Sequence, residues 1–323
     1  MSTFSPEALA ETIDSLASDE TVRSLEADPY WPKWDGPWWR MVLLHELGIA
    51  GAIPKRAVET LTRSLTASWL PFFPLTLAEV PAGKDPVRSV ACHCALGCIY
   101  QVLTATGVAV DREIPWIRPW FLRYQLPDGG LNCDEAAYTR PVPRSSVVST
   151  LPALEAILYA APRPLSDAEV SFLDRGARYL IERRLLRSVS GGGKLMDESW
   201  LRPTFPRFYD YDLLRGLAWL VRWARELGRE LPEEAVRESV AALEKLAPTG
   251  GLVAVGQRAW EPVKTRFLEN GAWKSGAPAR TFKLLDEVSV VGNMSVWLTR
   301  SWFETSRGLA GLRAEGRLAR GGR

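Results

Sequence analysis

Apolar positions recur at three- and four-residue spacing along most of the chain, the period of a helix that buries one face. Leu9, Ile13 and Leu16 set that spacing over Pro6 to Ser18, with Ser5 placed to cap the first turn. The same pattern predicts helices over Trp39 to Gly48, Lys55 to Trp69, Val87 to Thr104, the aromatic run Ile114 to Leu122, and Arg144 to Tyr159. Ser166 to Leu186 carries a capping-box pair, Ser166 and Glu169. Phe208 to Leu227, Pro232 to Leu246 and Met294 to Ser306 complete the set, and Lys283 to Val291 fits either helix or strand. Period-two alternation persists almost nowhere else, so the expected class is all-α.

Glycine-containing breaks punctuate these helices. Asp35-Gly36-Pro37-Trp38, Ala82-Gly83-Lys84, Asp128-Gly129-Gly130-Leu131, Gly191-Gly192-Gly193-Lys194, Thr249-Gly250-Gly251-Leu252 and Asn270-Gly271-Ala272-Trp273 stand mostly one helical hairpin apart. A period of that kind implies stacked hairpins that share a core. The central break, Gln125 to Gly130, has the form Gln-x-x-Asp-Gly-Gly and is followed at once by Asn132, Cys133, Asp134 and Glu135. It resembles the Gln-x-x-x-Gly-x-Trp repeat of squalene and hopene cyclases and the Asp-Gly-Gly repeats of protein prenyltransferase β subunits, with Leu131 where the cyclases place Trp. The resemblance implies an α/α toroid of about five to six hairpins, spanning residues 1–308 as one domain. Residues 1–25 then form a helical extension, and the arginine- and glycine-rich segment 309–323 a basic tail that frays into solvent.

Apolar residues make up 46% of the 323 and charged residues 24%, values that support a large core. A net charge of +2 gives no field for nucleic acid, and no apolar window is long enough for a membrane span. No secretory leader is visible after Met1, so the expected location is the cytoplasm, where Cys92, Cys94, Cys98 and Cys133 stay reduced.

Two polar clusters carry the candidate chemistry. In Cys92-His93-Cys94-Ala95-Leu96-Gly97-Cys98, helical geometry puts Cys94 and Cys98 on one face, with Cys92 nearly opposite, so the run cannot close a four-ligand site alone. A metal there needs Cys133 or Asp134 from the next hairpin. By resemblance to the zinc sites of prenyltransferases and lantibiotic cyclases, Cys133 and His93 are the candidate ligands and zinc the candidate cofactor. The alternative is a set of buried small thiols. In Tyr209-Asp210-Tyr211-Asp212, either acid can cap the following helix. The segment is also similar to the prenyltransferase Phe-Tyr-His and to part of the cyclase Asp-x-Asp-Asp run.

An acid that starts carbocation chemistry needs a dry pocket with walls that attract positive charge, a role aromatic faces fill. Fourteen tryptophans make such walls available. Under this reading Asp134, Glu135, Tyr209, Asp210, Asp212 and His93 are the candidate catalytic groups. Trp116, Trp120, Tyr124, Trp200 and Trp219 are the candidate substrate contacts. The expected partner is a small hydrophobic molecule, isoprenoid-like, or a modified peptide. Two readings stand beside it: a carbohydrate-active toroid using paired carboxylates such as Asp134 and Asp210, and a peptide- or lipid-binding ring without catalysis. Gly191-Gly192-Gly193-Lys194 is no phosphate loop, because no apolar strand precedes it and no Gly-Lys-Ser/Thr closes it.

Overall fold

The computed structural model describes residues 4–160, 163–247, 251–259, 264–269 and 272–319. Thirteen α-helices dominate these residues, in agreement with the all-α expectation. In chain order they are α1 (Pro6–Ala17), α2 (Asp19–Ala27), α3 (Pro37–Glu46), α4 (Lys55–Ser68), α5 (His93–Ala105), α6 (Val110–Glu113) and α7 (Ile117–Arg123). They continue as α8 (Val147–Tyr159), α9 (Asp167–Glu182), α10 (Leu213–Glu226), α11 (Glu233–Leu246), α12 (Lys283–Val288) and α13 (Val296–Ala314).

The expected caps form. The Ser5 side chain accepts from the Ala8 N–H, and Ser166 and Glu169 make the reciprocal capping box of α9. The ambiguous segment before residue 291 is helical, as α12. Two short parallel strands, β1 (Leu231–Pro232) and β4 (Leu318–Ala319), pair, and β2 (Lys264–Glu269) pairs antiparallel with β3 (Ala272–Pro278). The β2–β3 hairpin was not read from the sequence; the Asn270–Gly271 break between its strands lies outside the described residues, as do Thr249 and Gly250.

The expectation of a fraying tail is corrected over residues 309–319; residues 320–323 lie outside the described residues. Residues 309–314 continue α13, and Leu309, Leu312 and Leu318 are buried. Arg317 donates to the Ala224 and Arg229 carbonyls, which fastens the segment after α13 to the end of α10. Apolar burial at every third or fourth residue outweighs the arginine and glycine content of the segment.

Five helices touch in succession: α3 against α5, α5 against α8, α8 against α10, and α10 against α13. The indole N–H of Trp297, at the start of α13, donates to the Leu47 carbonyl at the end of α3, 3.1 Å away. The remaining helices also contact one another, α2 with α4, α7 with α9, α9 with α11 and α1 with α12. Closest of all is the α5–α8 crossing, where Gly97 lies against the Pro152 backbone. A Cβ on Gly97 would stand 2.3 Å from the Pro152 carbonyl carbon.

Candidate metal centre

Asp85 ends the connector before α5 in a tight turn, its carboxylate accepting from the Val87 and Arg88 N–H groups. The helix predicted from Val87 therefore starts six residues later, at His93. Cys92 becomes its N-cap, in extended conformation (φ −107°, ψ 154°), and its side chain caps no backbone group. That change of backbone overturns the opposite-face argument. Cys92 turns back towards Cys94, and their Sγ atoms lie 3.3 Å apart.

Cys133 arrives from the glycine turn. Gly129 has φ +93°, and a Cβ there would meet the Arg175 carbonyl oxygen at 2.3 Å, so only glycine fits. The following residues are laced to the start of α8: Leu131 N–H donates to Thr150 Oγ1, Cys133 N–H to Ser149 Oγ, and Asn132 Nδ2 to the Arg144 carbonyl. This holds Cys133 Sγ 3.7 Å from Cys94 Sγ. The three thiol sulfurs of Cys92, Cys94 and Cys133 all lie within 4.8 Å of one another. Zinc–thiolate bonds of about 2.3 Å in a tetrahedron give a sulfur–sulfur edge of about 3.8 Å, so the triangle has the size of one face of such a site.

Electrostatics divides the thiols. Hydrogen bonds from Cys133, then Cys94, pull Cys92 well below the usual thiol range. Cys133 is pushed up by its bond to Cys92, and Cys94 by its bonds to Cys133 and Cys92. Thiols this close share their protons, and one cation bound among them can take the place of those protons. Lys33 adds its positive charge from outside. Its Nζ donates to the Tyr209 hydroxyl at 2.5 Å and sits 4.2 Å from that ring's centroid. Trp34 and Trp39 stack at 4.3 Å and face Phe208 at 5.6 and 4.9 Å, so the thiols adjoin an aromatic wall. The sequence offered a signal for this wall in its dense run from Tyr30 to Trp39, but no spacing rule connected that run to the cysteines.

No family model, curated protein or solved structure matches the chain.

The other expected site residues disperse. His93 is fully buried beside the thiols, yet both ring nitrogens are engaged. Trp120 Nε1–H donates to Nδ1 at 2.8 Å, which leaves the proton on Nε2 facing the Tyr138 hydroxyl at 2.9 Å. Burial lowers its pKa, so the neutral ring is favoured. Its lone pair is spent on an indole, and the third sulfur takes the place expected of it. Cys98 points away, donating to the Phe208 carbonyl.

Asp134 and Glu135 lie on the surface, where Asp134 caps the short turn Glu135–Ala137 and pairs with Arg140 at 3.8 Å. Asp212 is fully buried, but its oxygens accept from the Thr204 and Arg215 N–H groups as the N-cap of α10. Asp210 is half-buried, and burial raises its pKa to about 6 against the pull of Lys33 and Arg215. Of the expected acids, Asp210 and Tyr209 alone stand beside the Lys33 group.

The expected aromatic contacts belong to packing. Trp116 tilts on Trp120, Tyr124 accepts from the Phe73 N–H, Trp200 meets Tyr211 edge-on at 4.6 Å, and Trp219 is fully buried. The hollow between α8, α10 and α13, about 580 Å³, is instead lined by charge, including Glu155, Arg207, Arg215, Arg222, Arg225 and Glu304. A second space of about 230 Å³ adjoins it and shares Glu155, Tyr159, Arg207 and Arg215.

Proposed function

We propose that the chain is a metal-dependent enzyme whose hairpins close into an α/α toroid of the terpenoid-cyclase and prenyltransferase kind. One thiophilic divalent ion, zinc by ligand chemistry, is held at the rim by Cys92, Cys94 and Cys133. The observation that carries the reading is the triangle of three sulfurs assembled from two hairpins. The α3–α5–α8–α10–α13 succession and the Trp297–Leu47 hydrogen bond support the closed ring.

Cys92, Cys94 and Cys133 would hold the ion, which would supply Lewis acidity to a substrate or water, as catalytic zinc with three protein ligands does. The protein's own groups complete the site. Lys33 donates to Tyr209 and so leaves the Tyr209 hydroxyl proton free to be given to a substrate. Asp210, with its pKa raised to about 6 by burial, can exchange a proton. The aromatic wall of Trp34, Trp39 and Phe208 suits an apolar portion of the substrate.

Elemental analysis of the purified protein tests this. About one equivalent of zinc is expected, falling to near zero in Cys133→Ser and Cys94→Ser but retained in Cys98→Ser and His93→Gln. A metal-free protein with three freely titrating thiols would sink the reading.

A further inference from the structure

The far end of α10 holds a second set of groups that the metal centre does not use. Arg215, Arg222 and Arg225 follow one another at intervals of seven and three residues on α10, and all three line the 580 Å³ hollow with Arg207. Their commitments differ. Arg215 is saturated: Nε and Nη2 pair with Glu155 at 2.8 and 2.6 Å, and Nη1 donates to the Phe208 and Asp210 carbonyls. It is a wall, not a ligand-binding group.

Arg222 spends only Nε, on Glu226 at 2.5 Å, while its guanidinium lies 4.2 Å from the Tyr159 ring centroid. Among the described residues, no acceptor engages either of its terminal nitrogens. Among the described residues, no acceptor lies within hydrogen-bond reach of the Arg225 or Arg207 guanidinium. The carboxylates of the lining are already taken: Glu155 by Arg215, Glu226 by Arg222, and Glu315 by Arg317. Glu304 alone has no ion pair there among the described residues.

Three guanidinium forks with open donors therefore face one hollow against a single free carboxylate. A planar fork binds two oxygens of a phosphate or carboxylate at once, and an aromatic floor such as Tyr159 keeps Arg222 in position for it. We propose that this end of the hollow is an oxyanion site, which takes the phosphate or polycarboxylate group of a small ligand between Arg222 and Arg225, with Arg207 on its inner side. Arg222 and Arg225 lie about 14 and 18 Å along α10 from its first residue, by the rise of a helix, so the site is separate from the thiols at the opposite end. It stands or falls independently of the metal.

Calorimetric titration of the full chain with inorganic phosphate and, in a second arm, with citrate reads the inference directly. Saturable one-site binding of either probe is expected, and the arm that saturates names the anion class. Arg222→Gln and Arg225→Gln should each weaken it about tenfold or more. Arg313→Gln, on the surface of α13, should leave it unchanged, and circular dichroism should show all three variants folded. The inference is overturned if neither probe saturates below about 10 mM. It is also overturned if the two variants bind as the wild type does, the result expected of arginines that serve only the helix dipole. Zinc content is unaffected by either outcome.

Discussion

Asp210 shows how one side chain's surroundings set its use. Burial holds its pKa up at about 6, above the 3.8 of an unperturbed carboxyl. A carboxyl raised in the folded state leaves stability undiminished at low pH and lowers it as pH climbs from about 4 through 6, because the ionised form is better solvated in the unfolded chain. Asp210→Asn removes that penalty. The variant should melt about 2 to 4 °C above the wild type at pH 8 and at the same temperature at pH 4, by scanning calorimetry. An equal shift at both pH values would mean that the residue is not desolvated. Cys92 carries a related lesson. Helical geometry set it opposite Cys94, so the sequence put Cys133 and His93 forward as ligands and not Cys92; its direction depended on whether position 92 is helical, and Asp85 and Pro86 decided that by forming a turn.

Among elements, the α5–α8 crossing fixes the distance between the two halves of the thiol cluster, since Cys94 rides on α5 and the Cys133 loop is tied to the start of α8. Gly97 permits the crossing, and the atoms that face it belong to the Pro152 backbone, which cannot swing aside. Gly97→Ala should cost about 2 kcal/mol or more in denaturant unfolding, by overpacking, and reduce zinc retention with it. Unchanged stability would show that the helices can separate. Helix positions were readable because the 3.6-residue period and the caps at Ser5 and Ser166 are local properties. The starts of α5, α8 and α10 fell three to six residues later than the apolar pattern suggested, where Asp85, Ser146 and Asp212 satisfy the chain by side-chain bonds instead. Strands β2 and β3 were missed because their residues, Lys264 to Glu269 and Ala272 to Pro278, lack strict alternation of polar and apolar side chains.

At the level of the whole molecule, the first and last described segments are both tied in. Ser5 donates to Glu287 on α12 at 2.7 and 2.8 Å, and Arg317 and Leu318 dock on α10 and β1. Deleting residues 317–323 removes that dock, and a fall in melting temperature of about 4 °C or more is expected, against no change for a solvated tail. Hairpin spacing suggested a ring but carried no information on what lines a hollow. Tryptophan abundance pointed to an aromatic cavity, whereas the indoles of Trp120 and Trp219 serve packing and arginines of α10 line the hollow. Which apolar face turns inward depends on neighbours far away in sequence, and a single helix's periodicity does not encode them.

X-ray absorption at the zinc edge of the purified, zinc-loaded protein bears most directly on the trithiolate centre. Three sulfur scatterers at about 2.3 Å with one lighter oxygen or nitrogen neighbour are expected. A shell of nitrogen and oxygen alone, or one that keeps all its sulfur after Cys92, Cys94 and Cys133 are replaced by serine, would contradict it.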